Sequence, residues 1–221
     1  MSELLKKLSI AVESGKINKL SPFPPAMKGL DGADELTKEA LDSGISPTTV
    51  LDALVEGMGI IGEKFSEGKV YVPNMLMAAK AMSAAMVHLK PFFSSGEVKR
   101  KGTFVVGTVF GDLHDIGKNI LAMSVEGAGW EVIDLGVDVK SEKFIETIEK
   151  YPDCVIGLSA LLTTTMANME TLVKEIKAKY PNKAIIVGGA PLTQEFSDKI
   201  GASAYSPSPQ GAVKFLNQLV A

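Results

Sequence analysis

From Gly102 onward, strand-length apolar runs alternate with helix-forming stretches, and few folds accommodate that rhythm. The runs are TFVVGTVF, GWEVIDLG, DCVIGLSA and KAIIVGGA. Between them lie GKNILAMSVEGAG, SEKFIETIEKY and TTTMANMETLVKEIKAKY. A short fifth run, ASAY, and a last helical stretch, PQGAVKFLNQLVA, follow. Strand and helix in strict alternation predict a parallel sheet of five strands with helices on both faces and right-handed crossovers. Ligands of such sheets bind beyond the carboxyl ends of the strands, at the point where strand order reverses.

The first half reads differently. SELLKKLSIAVESG carries apolar residues at Leu4, Leu5, Leu8 and Val12, a helical spacing. The adjacent prolines of FPPAMKGLDG break that pattern, and ADELTKEALDSG resumes it until Gly44. A third helix is predicted from Ser46 as N-cap with Pro47 at its first position. The fourth spans VPNMLMAAKAMSAAMVHLKPFF, with Pro73 in its first turn and Pro91 limiting its end. Four helices with short connections predict a small bundle over residues 1–93. The polar stretch SSGEVKRKG makes 94–102 a linker, leaving 103–221 as the α/β domain.

Composition narrows the function. The 221 residues have a net charge of -3 with interspersed signs and no basic block, which argues against nucleic acid as a partner. No apolar stretch of membrane-spanning length occurs, and the first residues have no secretory h-region. The one cysteine, Cys154, excludes an internal disulfide, so a reducing, cytoplasmic setting is expected. Cys154 lies in an apolar strand and reads as a packing residue.

One of only two histidines, His114, falls in GDLHDIGKNI directly after the first strand. A polar loop with an incidental histidine is the plain reading, but the carboxyl end of a strand is where such a sheet binds ligand. HDIGK also matches a short signature of HD-type metal phosphohydrolases. That site needs several further His and Asp ligands on helices, and the only other histidine is His88, read as a surface or capping residue. Neither nucleotide-binding glycine fingerprint is present in GDLHDIGK.

Taken in order, Asp112, His114 and Gly117 form D-x-H-x-x-G, Ser159 and Leu161 form S-x-L within SALLTTT, and Gly188 and Gly189 form G-G. This ordered set resembles the cobalamin-binding domain of corrinoid methyltransferase proteins, related to modules of methionine synthase. GMGIIGEKFSEGKVYVPNMLMAAKAM is similar to that family's helical cap. The resemblance covers roughly residues 30–221 and implies a flavodoxin-like (Rossmann-like) domain behind a four-helix cap.

The resemblance implies that cobalamin, or a related corrinoid, binds with its own base displaced and that His114 becomes the lower axial ligand of cobalt. One histidine suffices because the corrin ring brings its own four nitrogens. Asp112 is then expected to accept a hydrogen bond from the other ring nitrogen, and Thr165 to be the third member of the relay, where the family often has serine. Gly117 would let the displaced nucleotide tail pass close to the backbone. Ser159, Leu161 and Thr163 would line the slot for the base, flanked by Gly188 and Gly189, although a tight strand-to-helix turn would also call for that glycine pair. Phe65, Val72 and Met75 match the cap positions over the upper face of the corrin, and a plain bundle core would suit those spacings equally well.

The function implied is a carrier of a methyl group on cobalt. One substrate-specific methyltransferase would load it and a second would pass the methyl to an acceptor such as tetrahydrofolate, with a reductive activase as a further partner. Such a chain is a methyl-carrying subunit rather than a complete enzyme. The linker would be a hinge that moves the cap aside. The alternative is a cobalamin-dependent sensor, which usually carries a DNA-binding or signalling domain that this sequence gives no sign of. A cofactor-free flavodoxin-like interaction module would make the motif set a coincidence. Donor and acceptor are not legible, because specificity lies with the partner enzymes.

Overall fold

The computed structural model describes residues 2–220. Apart from Gly127–Gly129, the chain divides into two compact units, one up to Arg100 and one from Lys101 onward.

The first unit is helical: α1 (Glu3–Glu13), a 3-10 turn (Pro25–Met27), α2 (Ala33–Asp42), α3 (Pro47–Ser66) and α4 (Val72–Ser94). Its helix ends follow local chemistry. Ser46 Oγ accepts from Thr49 N–H at 3.2 Å and so caps α3, whose first residue is Pro47. Gly44, at φ +83°, follows α2, and the next amide, of Ile45, bonds back to Ala40 O at 3.1 Å. At Glu35, Oε2 accepts from Gly32 N–H at 2.9 Å, which satisfies the backbone amide of the N-cap residue. The helix expected through Phe93, with Pro91 near its end, is α4, which includes Pro91 and ends at Ser94. A proline so near a helix end removes one amide donor, and its would-be acceptor belongs to the exposed Val87, within reach of water. His88, on α4, places Nε2 2.7 Å from Asp34 Oδ1 on α2 and so ties two helices together.

The second unit runs β1 (Thr103–Thr108), α5 (Ile116–Gly127), β2 (Glu131–Asp134), α6 (Ser141–Lys150), β3 (Val155–Ser159), α7 (Met166–Lys179), β4 (Ile185–Gly188), α8 (Gln194–Ile200), β5 (Ala204–Tyr205) and α9 (Pro209–Gln218). The sheet has five strands in the order β2-β1-β3-β4-β5, and every pair is parallel. β1 and β3 are almost wholly buried, as central strands covered on both faces must be. Phe144, Ile148, Met169, Leu172, Val173 and Ile176 of α6 and α7 close over one face of the sheet. Phe144 alone, fully buried, contributes about 1.5–3 kcal/mol of hydrophobic stabilisation.

The strand order reverses between β1 and β3, since β2 lies on one side of β1 and β3 on the other. The loops leaving β1 and β3 therefore diverge around one crevice. Register brings Thr108, Ser159 and Gly188 side by side at its floor.

Candidate functional site

The site is built from these two loops. Asp112 follows β1 and is fully buried. Its Oδ1 accepts from His114 Nδ1–H at 2.8 Å and from His114 backbone N–H at 3.1 Å. Its Oδ2 accepts from the backbone N–H groups of Leu161 and Leu162, at 2.7 and 3.2 Å, and from Thr165 Oγ1 at 2.8 Å. Burial by itself would raise the pKa of this carboxyl. The bond from Leu161 N–H, with those from His114 and Thr165, outweighs burial and holds Asp112 well below the usual carboxylate range.

An ionised Asp112 fixes the tautomer of its neighbour. The carboxylate can only accept, so the proton of a neutral His114 sits on Nδ1 and the lone pair on Nε2. The His114 side chain is 51% exposed, and no described residue hydrogen-bonds Nε2. Thr165 Oγ1 also lies 2.8 Å from Leu162 O, so its single proton has two acceptors within reach.

The two loops leave several large apolar side chains in water. Leu113 and Ile116 are largely exposed, and Phe110, Leu161 and Leu162 are each more than a third exposed. Large side chains left in water together mark a surface that something covers. The described residues include no cluster of three or more His, Cys, Asp or Glu side chains able to hold a metal ion. A metal at His114 would have to arrive with most of its ligands already attached.

The other expected residues are distributed unevenly. Leu161 takes part through its backbone N–H. Ser159 ends β3, half-buried, and Thr163 is exposed with no side-chain hydrogen bond. A Cβ on Gly117 would meet nothing within 4 Å, so the protein leaves the space beside it open. The glycine pair has a reason inside the fold: Gly189 sits at φ +138°, and a Cβ there would lie 1.8 Å from Ala160 O. Phe65, Val72 and Met75 belong to the helical unit, the first two half-buried and Met75 buried.

Several participants escaped the sequence reading. The amide of Leu162 acts whatever its side chain. Thr108 Oγ1 donates to His114 O at 2.9 Å. Asn168 Nδ2 donates to Phe110 O at 2.8 Å. Lys118, beside Gly117, is buried and pairs with Asp134 and with Asn119 Oδ1. A lysine two residues past a helix start carries no signal of burial. Only its partner at the end of β2 explains it.

Comparison with known proteins decides the family. One B12 binding domain family matches residues 102–208, and a second B12 binding domain family matches residues 30–90. A corrinoid protein of Desulfitobacterium hafniense is 37% identical over 84% of this chain and 89% of its own length. The chain belongs to the cobalamin-binding corrinoid proteins. The trimethylamine corrinoid protein of Methanosarcina barkeri is 38% identical over 82% of this chain and 86% of its own. Among solved structures, the methanol:cobalamin methyltransferase complex of Methanosarcina barkeri contains a chain that superposes with a TM-score of 0.82. That chain is 28% identical, and the match covers 99% of this corrinoid protein and 80% of that chain. Corrinoid proteins of this kind belong to methyltransferase systems. Among the described residues, no helix is long and apolar enough to cross a membrane.

Proposed function

We propose that this corrinoid protein binds its cofactor with the cofactor's own base displaced, takes His114 Nε2 as the lower ligand of cobalt, and carries a methyl group between two methyltransferases. The observation that carries this reading is the half-exposed imidazole of His114, its Nδ1 held by a buried carboxylate and its Nε2 left without a partner among the described residues. A corrinoid fits those residues: a broad ring can cover the apolar side chains that the two loops expose, and its four nitrogens make further protein ligands unnecessary. When bound, it supplies a cobalt centre that accepts and releases a methyl group.

The chain's own residues prepare that centre. Asp112 keeps the proton on Nδ1 and makes Nε2 the more basic. The amides of Leu161 and Leu162 hold the carboxylate in place. A proton arriving at Asp112 Oδ2 would turn the Thr165 hydroxyl toward Leu162 O, which is already in reach. Gly117 and the slot residues Ser159, Leu161 and Thr163 take the nucleotide tail, with Gly188 and Gly189 beside them. Phe65, Val72 and Met75 supply an apolar lid from the helical unit, and residues 94–102 let it move. The partners are a substrate-specific methyltransferase, a second one using an acceptor such as tetrahydrofolate, and a reductive activase. Methylamines and methanol are the donor class that the relatives' names support. The single buried thiol suits work in a reducing cytoplasm.

The test is a visible spectrum of purified protein after incubation with hydroxocobalamin, for wild type and His114→Ala. A retained corrin whose spectrum changes in His114→Ala is expected. No retained corrin in the wild type would overturn cofactor binding, and an identical spectrum in His114→Ala would overturn the axial role.

A further inference from the structure

Among the described residues, Asp138 is the one non-glycine with positive φ, at 54°. It stands in the connection from β2 to α6. Left-handed backbone is unfavourable for a residue with a side chain, and it persists where surrounding bonds over-determine it. Here they do. Gly136 O accepts from Thr108 N–H at 3.0 Å, and Val139 N–H donates to Thr108 O at 3.0 Å, so both flanks of Asp138 are tied to one residue of β1.

Held in that shape, Asp138 grips the loop that carries His114 at two successive residues. Its Oδ1 accepts from Gly111 N–H at 2.7 Å, and its backbone N–H donates to Asp112 O at 3.0 Å. Gly111 is itself left-handed, at φ +83°, so two unusual backbone turns face each other and are joined twice. Thr108, which anchors Asp138, also donates its hydroxyl to His114 O at 2.9 Å. The carbonyl before this grip, Phe110 O, is held by Asn168. Between Phe110 and His114 the direction of the chain is thus set from outside the loop, with Asp138 supplying both a side-chain and a backbone contact.

We propose that Asp138 is a positioning residue that presents His114 to the cobalt of the cofactor. The proposal rests on the reading that His114 is the lower ligand. It identifies a contact from a different strand connection, separate from the Asp112–Thr165 pair.

The test uses the full chain with Asp138→Asn and Asp138→Gly. Asparagine tolerates left-handed backbone and keeps an oxygen for Gly111. Glycine keeps the backbone and removes the acceptor. Without cofactor, the Gly111 amide should lose its protection from hydrogen exchange in Asp138→Gly and keep it in Asp138→Asn, with the thermal midpoint little changed. With hydroxocobalamin bound and reduced to cobalt(II), the nitrogen splitting in the electron paramagnetic resonance spectrum that changes when the protein carries 15N-histidine reports the axial histidine and not the cofactor's own base. Asp138→Gly should weaken that signal and lower cofactor affinity by up to about 10-fold, the low end for losing a direct partner of a metal ligand because Asp138 acts through Gly111 and Asp112, while Asp138→Asn restores both. Normal splitting and affinity in Asp138→Gly beside a normal wild type would overturn the proposal alone. A wild type that binds cobalamin without that histidine-dependent splitting would overturn the ligand reading, and the proposal with it.

Discussion

Thr165 Oγ1 and Asp112 Oδ2 lie 2.8 Å apart across the two loops that diverge from the sheet, joining the β3–α7 connection to the residue that holds His114. The contact is almost fully inside the protein, with Thr165 4% exposed and Asp112 fully buried. Replacing Thr165 by valine keeps the shape and removes the donor. The carboxylate then keeps four of its bonds, and stability should fall by about 1–2 kcal/mol in urea unfolding of the cofactor-free protein. Serine should retain the contact and show a smaller loss. Equal stability of the valine and serine variants would mean that the hydroxyl's bond to Asp112 contributes nothing to folding.

Asp112→Asn is a harder test of the same cluster. All the groups facing the carboxylate are donors. An amide must aim its NH2 either at His114 or at the two backbone amides. Rotation of the Thr165 hydroxyl relieves only one clash. A loss of about 1–3 kcal/mol is expected, and the Nδ1–H signal of His114 in a nitrogen-correlated NMR spectrum should shift or vanish. An unchanged ring signal would show that Asp112 does not set the tautomer.

Much of this was legible in the sequence because strand-length apolar runs and helical patterns are local. Strand-length runs such as TFVVGTVF and DCVIGLSA gave the sheet, and the alternation placed His114 at the end of β1. Asp112 and His114 are two residues apart, so their pairing was within reach of a motif. The amides of Leu161 and Leu162 were not, because a backbone donor leaves no mark on residue identity. Asp138 was hidden for a different reason: its role depends on a left-handed turn fixed by hydrogen bonds to Thr108, thirty residues earlier.

Cys154 provides a pH test. The thiol is buried, and burial raises its pKa, with the nearby Lys183 charge opposing and Asp153 adding to the rise. Folding therefore favours the protonated thiol. Its contribution to stability is complete below the unfolded thiol's pKa, about 8.5, and is lost as pH rises through the higher folded value. Alkylation by iodoacetamide at pH 8 should be slow in the folded protein and fast in urea, and its rise with pH should be displaced upward. Rapid labelling of folded protein at pH 8 would contradict this packing.

Two glycines separate what the fold requires from what the ligand requires. Gly189→Ala would force a side chain into left-handed backbone and against Ala160 O, so it should cost at least about 3 kcal/mol or prevent folding of the α/β unit. Gly117→Ala meets no neighbour and lies in the first turn of α5, where alanine is the better helix former. It should leave the cofactor-free protein as stable as wild type, or more stable by up to about 1 kcal/mol. If the open space beside Gly117 is where the nucleotide tail passes, the same variant should bind hydroxocobalamin more weakly. Cobinamide, which lacks the tail, should bind both forms alike. A Gly117→Ala protein that binds both corrinoids as wild type does would place the tail elsewhere on the crevice between the loops of β1 and β3.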